Sequence, residues 1–324
     1  MAADIGFIGI GNMGFHMAGN IRSKMDRSST LHIFDVNNAS CQDFVHKFGD
    51  LGPVRIAKSS KEVAEASKTV LSMVPMDQHC RAVYLDPETG VIAARADQDR
   101  LILECSTISI ATAQEVGKAV MEAGRGRYID TPVSGGVGGA EAGSLSFFIG
   151  YPNAATDNDP LVQHIKTVIG WMGAAERINF CGFLGGGLVS KIANNYMGLC
   201  NLAAAAQGMA FGIRHGMNPE TLFRCIKGSS GDSWILNFSP PVPGVVAKSA
   251  ASNGFRAGFR PSLCVKDVSL AIKAAREVGI NATMGEMALK EYERADQDPR
   301  TTSLDCSSIW LHINGQVDAF SESK

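Results

Sequence analysis

The sequence predicts an α/β protein, a doubly wound parallel sheet followed by an all-α domain. Three observations carry that reading. Short apolar runs alternate with helical stripes through the first half, a glycine fingerprint stands between the first run and the first stripe, and no strand pattern follows residue 180. With 324 residues, 45% of them hydrophobic, the chain can bury a large core, and its length suggests two domains. We place them at 1–184 and 185–324.

The first run, Ile5-Gly6-Phe7-Ile8-Gly9-Ile10, leads into Gly11-Asn12-Met13-Gly14, after which Phe15, Met17, Ala18, Ile21 and Met25 form a helical stripe. Gly9-x-Gly11-x-x-Gly14 by itself is a weak signal in a glycine-rich protein. Its context is strong: a strand precedes it, a helix follows, and a second strand, Leu31-His32-Ile33-Phe34, ends at Asp35, about 20 residues past the last glycine. This is the dinucleotide fingerprint of a Rossmann-type domain. The first glycine permits the tight turn, the second lets a pyrophosphate approach the backbone, and the third lets helix and strand pack closely. Asp35 would hold the ribose hydroxyls and repel a 2′-phosphate, which favours NAD over NADP. The bland counterpart is a tight strand-to-helix turn followed by a surface aspartate.

Further strands are expected at 69–74, running into Pro75, at 101–103, running into Ser106-Thr107, and at 128–129, running into Asp130. Helices are expected around 60–67, 77–85 and 110–123. Ligands in such sheets sit beyond the carboxyl ends of the strands. The stretch Pro132-Val133-Ser134-Gly135-Gly136-Val137-Gly138-Gly139 fits a concavity of backbone N–H groups and a hydroxyl suited to a carboxylate, and equally a flexible connector. A strand at 145–150, a helix to about 170 and a strand at 177–180 complete the first domain.

Next comes the cluster Gly182-Phe183-Leu184-Gly185-Gly186-Gly187 and a long segment, Leu188 to His215, with the look of a buried helix. No formal charge occurs between Ile192 and Ile213, and Lys191 stands just ahead of that tract. A lone ammonium beside so apolar a helix is costly unless it is used. Asn195 follows at i+4, on the same helix face. A helix-end lysine reaching solvent and an amide satisfied by backbone fit the pair as well. Roughly 20 uncharged residues could span a bilayer, but the asparagines, Gln207 and glycines of this single segment argue against a membrane. Helices are expected at 219–226, 265–278, 283–295 and 307–313, with a loop-rich insert at 229–262 whose prolines fix an irregular, structureless path.

The charge balance, a net −2 with pI near 6.4 and no basic runs, excludes nucleic acid as a natural partner. The eight cysteines and seven histidines are dispersed without metal-ligand spacing, so no metal is expected. No import signal is visible ahead of the first strand.

Four ordered motifs make the whole chain resemble the β-hydroxyacid dehydrogenases, and within them the branch that oxidises 3-hydroxyisobutyrate. They are the amino-terminal fingerprint; Asp130-Thr131-Pro132-Val133-Ser134-Gly135-Gly136; Gly182-x-x-Gly185-x-Gly187-x-x-x-Lys191-x-x-Asn194-Asn195; and Lys266-Asp267-Val268-x-Leu270-Ala271. The tract Pro241-Val242-Pro243-Gly244-Val245 after Ser233-Trp234 is similar to the segment that marks that branch. The resemblance implies a Rossmann domain and a second domain like the carboxyl-terminal domain of 6-phosphogluconate dehydrogenase. It implies a catalytic Lys191 with Asn195 orienting substrate, and Ser134, Gly135 and Gly136 on the substrate carboxylate. It further implies Gly9, Gly11, Asn12, Met13, Gly14, Asp35, Val74, Pro75, Thr107 and Lys266 on NAD. The implied reaction is oxidation of 3-hydroxyisobutyrate to methylmalonate semialdehyde in valine breakdown, by a homodimer or homotetramer, in mitochondria or, alternatively, the cytoplasm. Relatives acting on serine, 3-hydroxypropionate or a small semialdehyde share these motifs, and a catalytically silent dinucleotide binder is the non-enzymatic alternative. A free lysine, with a pKa of about 10.4, is a poor base at neutral pH; burial and a positive nicotinamide ring would bring Lys191 toward the working range. The chain departs from its relatives at Ser109-Ile110, where Asp-Pro is frequent, at Thr131 for alanine, at Phe183 for histidine, and at His79 for a cofactor-touching asparagine.

Overall fold

The computed structural model describes residues 4–152, 159–256 and 258–322. It divides into two compact units, Met1–Lys191 and Ile192–Lys324, so the division falls within the long helix that follows the glycine cluster.

In the first unit the chain alternates strictly: β1 Ile5–Ile8, α1 Asn12–Lys24, β2 Leu31–Phe34, α2 Asn38–Phe48, β3 Val54–Ile56, α3 Ser60–Ala66, β4 Thr69–Ser72, α4 Asp77–Leu85, β5 Leu101–Glu104, α5 Ile110–Glu122 and β6 Arg127–Asp130. All six strands pair in parallel in the order β3-β2-β1-β4-β5-β6. β1 is buried along its whole length because it has a neighbour on each side and helices on both faces, which is why it reads as an unbroken apolar run. Phe7, Ile33, Leu71 and Leu103 pack with Met17 and Ile21 of α1 into one core. Each such side chain taken from water contributes about 1.5–3 kcal/mol. Helix starts are set locally: Ser59 accepts from Glu62 N, and Ser109 accepts from Thr112 N. The replacement of Asp-Pro by Ser109-Ile110 therefore keeps a good N-cap.

Beyond β6 the chain builds a second, three-stranded sheet from β7 Val133–Ser134, α6 Gly136–Ala142, β8 Leu145–Ile149, α7 Pro160–Gly170 and β9 Gly173–Phe180, in the order β7-β8-β9. The stretch weighed as a loose connector is thus a strand and a helix, pinned by the antiparallel pairing of Val133 with Phe147 and Ser134 with Ser146. α8, Gly186–Arg214, follows.

In the second unit every regular element among the described residues is helical: the rest of α8, then α9 Pro219–Ile226, α10 Trp234–Phe238, α11 Pro261–Glu277, α12 Thr283–Gln297, α13 Ile309–Ile313 and α14 Val317–Glu322. α8 buries only one stripe, Leu199, Leu202, Ala203, Ala206, Met209 and Ala210, against residues such as Val268, Ile272, Tyr292 and Trp310. The look of a buried helix holds for this stripe alone, because the opposite face is uncharged yet exposed, with Met197 at 64% and Phe211 at 66%. The insert at 229–262 is likewise not structureless, since it holds α10 and a 3-10 turn at Ala251–Asn253. No helix among the described residues is long and apolar enough to cross a membrane.

Candidate active site

The fingerprint glycines occupy the positions that their spacing demands. Gly9 has φ +93°, and a Cβ there would stand 2.2 Å from the Met73 carbonyl oxygen; a Cβ on Gly14 would stand 1.9 Å from that of Gly9. Around Gly11 the protein leaves open space. α1 starts there with no side-chain cap and no acidic residue in its first turn, so the N–H groups of Asn12, Met13 and Gly14 can meet an anion. Asp35, half-buried at the end of β2, accepts from Ile10 N at 2.6 Å and Asn37 N at 2.7 Å, which locks its carboxylate against the fingerprint turn. Open space over the second glycine, donors from the helix start and a fixed carboxylate fit a dinucleotide.

Beside it, at the carboxyl ends of β4 and β5, lie half-buried Val74, exposed Pro75 and half-buried Thr107. Val74 N donates to Ser106 Oγ at 2.7 Å, and Ser106 N donates to Glu104 Oε1 at 2.7 Å. Glu104 is fully buried, with Ser72 Oγ on its other oxygen, and burial pushes its carboxyl above the usual range. Sequence reasoning passed over this carboxylate because it sits inside an apolar strand. His79 is exposed on α4.

At the end of β6, Asp130 is also buried. Its Oδ1 accepts from Gly185 N at 2.7 Å and its Oδ2 from Leu188 N at 2.9 Å, and burial raises its carboxyl against the pull of those N–H groups. Thus the second motif clasps the third. Further along the same segment, Ser134 is half-buried in β7, and Gly135 (φ +137°) and Gly136 (φ +63°) are exposed in a backbone turn that other residues rarely adopt.

Lys191 lies on α8, 6% exposed, one turn ahead of Asn195. Asn195 Nδ2 donates to Asp267 Oδ2 at 2.6 Å, while Lys266 Nζ pairs with Asp267 Oδ1 at 3.0 Å. Asp267 is 3% exposed, so the third and fourth motifs meet through a buried carboxylate. Its signal was present in the fourth motif, where it follows Lys266. The structure thus gathers Gly9 to Gly14, Asp35, Val74, Pro75 and Thr107 along the carboxyl edge of one sheet, and joins Asn195 to Lys266 within the helical unit.

The family comparisons agree with this geometry. Residues 4–179 match the NAD binding domain of 6-phosphogluconate dehydrogenase, and residues 185–310 match the NAD-binding domain of NADP-dependent 3-hydroxyisobutyrate dehydrogenase. The chain is 36% identical over 314 residues to a 3-hydroxyisobutyrate dehydrogenase of Pseudomonas aeruginosa, covering 97% of this chain and 99% of that one. It is 33% identical over 288 residues to an NAD-dependent L-serine dehydrogenase of the same organism, covering 89% and 90%. A solved Mycobacterium tuberculosis 3-hydroxyisobutyrate dehydrogenase with L-serine superposes with a TM-score of 0.83 at 29% identity, over 97% of this chain and 99% of that one. With a dinucleotide cradle, four motifs in order and relatives matched end to end, the chain belongs to the β-hydroxyacid dehydrogenase family and is an NAD-dependent oxidoreductase of that type.

Proposed function

We propose that this enzyme oxidises a short 3-hydroxy acid, 3-hydroxyisobutyrate before L-serine or 3-hydroxypropionate, to its semialdehyde. When bound, NAD supplies a hydride acceptor at C4 of its nicotinamide. The fingerprint donors of α1 hold its pyrophosphate, Asp35 takes the ribose hydroxyls in preference to a 2′-phosphate, Val74, Pro75 and Thr107 border it at the sheet edge, and the family resemblance assigns Lys266 to the same cofactor. Ser134 with the Gly135 and Gly136 N–H groups receives the substrate carboxylate. Lys191 takes the hydroxyl proton at Nζ during oxidation and returns it during reduction. Asn195, which does not titrate, holds the oxygen on which charge builds.

One observation carries this reading: a lysine 6% exposed stands one turn from an amide whose orientation a buried carboxylate fixes. A buried amine on the same helix face as a fixed amide can exchange a proton with a bound hydroxyl, which is the role the reaction requires. A silent dinucleotide binder would need neither group. The choice of 3-hydroxyisobutyrate, and with it valine breakdown, is supported by the Ser233-Trp234 and Pro241 to Val245 segment. Self-association as a homodimer or homotetramer belongs to the same proposal, supported by exposed Met197 and Phe211 on the 29-residue α8. A mitochondrial compartment follows from the family resemblance, with the cytoplasm as the alternative. The test is a panel of 3-hydroxyisobutyrate, L-serine and 3-hydroxypropionate with NAD and with NADP, followed by absorbance of the reduced cofactor. Highest kcat/KM for 3-hydroxyisobutyrate with NAD is expected; no turnover of any 3-hydroxy acid would sink the proposal.

A further inference from the structure

Two elements of the first unit must stand at a set separation if the functional reading above holds. One is the Ser134 to Gly136 turn, which would take the substrate carboxylate. The other is the start of α8, which carries Lys191 toward the hydroxyl. In a 3-hydroxy acid a single carbon separates the carboxyl carbon from the carbinol carbon, and in a 4-hydroxy acid two do. The distance between the elements is therefore a measure of substrate length.

We propose that Asp130 is the positioning residue that fixes this distance, and so sets the preference for 3-hydroxy over 4-hydroxy acids. The proposal rests on the roles assigned above to Ser134 and Lys191. Asp130 belongs to both elements. As the last residue of β6 it is held in the parallel sheet opposite Glu104, and the chain passes directly from it into β7 and Ser134. Its own carbonyl accepts from Gly150 N at 2.8 Å, which ties it to the end of β8, the partner of β7. Its side chain reaches across to the other element, with one oxygen on Gly185 N and the other on Leu188 N. Leu188 precedes Lys191 by less than one helical turn. Two bonds from two oxygens fix both the position and the rotation of the helix start, and bonds to a carboxylate are stronger than those to a neutral oxygen.

The surroundings are shaped to this contact. A Cβ at Gly150 would come within 1.9 Å of Asp130 Oδ1, and one at Gly187 within 2.8 Å of Oδ2. At Gly150 any side chain would push the carboxylate aside; at Gly187 it would press on the Phe148 carbonyl oxygen, 2.3 Å away, as well as on the carboxylate. Asp130 is fully buried, so it meets neither solvent nor ligand in this role.

The test uses Asp130→Asn in the full chain, an isosteric change that leaves one acceptor and turns an NH2 toward the other N–H. Turnover of 3-hydroxypropionate should fall about 10–100-fold, as expected for a displaced reacting group. The kcat/KM ratio of 3-hydroxypropionate to 4-hydroxybutyrate should fall about tenfold, with KM for NAD within about twofold because the cofactor cradle is untouched. Gly150→Ala, which displaces the carboxylate and keeps its charge, should shift the same ratio in the same direction. In the unaltered protein, hydrogen exchange should find the Gly185 and Leu188 amides protected, a readout that does not need either variant to fold. An unchanged ratio in a folded variant, or amides that exchange as fast as those of an open loop, would overturn the proposal. If the unaltered enzyme turns over no 3-hydroxy acid, the functional reading fails instead, and the amide protection still decides whether Asp130 ties the two elements.

Discussion

Asn195 and Asp267, 72 residues apart in sequence, share a 2.6 Å hydrogen bond in which the amide of α8 donates to a carboxylate of α11. The bond uses the amide nitrogen as donor on the protein side, so it settles which way the side chain faces. Asp267→Asn would replace an ionic acceptor by a neutral amide that can rotate. We expect kcat on the 3-hydroxy acid to fall about 10–100-fold and, because the same carboxylate pairs with Lys266, KM for NAD to rise with it, measured by steady-state kinetics against both substrates.

Lys191→Ala should abolish turnover, with a loss of about 10²–10⁴-fold or more if the amine is the general acid and base. Binding of NADH, followed by fluorescence titration, should stay within a few-fold, because the cradle lies on α1 and not on α8. Activity near that of the unaltered enzyme would remove Lys191 from the mechanism.

The fingerprint glycines should separate into two kinds. Gly14→Ala puts a Cβ 1.9 Å from the Gly9 carbonyl oxygen and should lower the melting temperature as well as cofactor affinity. Gly11→Ala meets nothing within 4 Å in the protein. Stability should therefore change by only about 1 kcal/mol, the scale of an altered N-cap, while affinity for NADH drops steeply. Calorimetry and titration on both variants read the contrast.

Acid stability should depend on Asp298. Hydrogen bonds from Arg300 hold its carboxyl at about 2, well below the ordinary carboxylate value of about 4. A carboxyl lowered by folding contributes stability at pH above the unfolded value, and that contribution is lost as pH falls from about 4 toward 2. Asp298→Asn should therefore destabilise the protein at neutral pH and flatten the pH dependence of urea unfolding in that window. Identical slopes for the two proteins would refute the linkage.

Much of this architecture could be read in advance, for physical reasons that differ by element. β1, β4 and β5 are buried on both faces and so appear as apolar runs. β3 is an edge strand of only three half-exposed or exposed residues and leaves no such mark. α2 carries a polar surface around Cys41 and Phe44, and α6 is made of Gly136-Val137-Gly138-Gly139-Ala140-Glu141-Ala142, a composition whose helix propensity is low. The cost is offset by tertiary packing, since Asn20 of α1 donates to the Ala140 carbonyl. The Lys191 and Asn195 pair was legible because both sit on one helix at a periodic spacing. Asp130 was not, since its bonds to Gly185 and Leu188 cross 55 and 58 residues, and no local pattern encodes a contact of that range. Asp267 was quoted in its motif, but the link to Asn195 depends on how α8 and α11 pack.

The absence of a side chain at Gly150 has a consequence for anyone randomising this gene. A saturation library at that codon will report an impaired alanine and failure of anything larger, at a place that touches no reactant, and the position will look merely fragile. The obstacle is the acid at 130, which already fills the volume a methyl would need. Pairwise randomisation of the two codons should recover combinations that neither single scan can show, with a smaller residue at 130 making room for a larger one at 150.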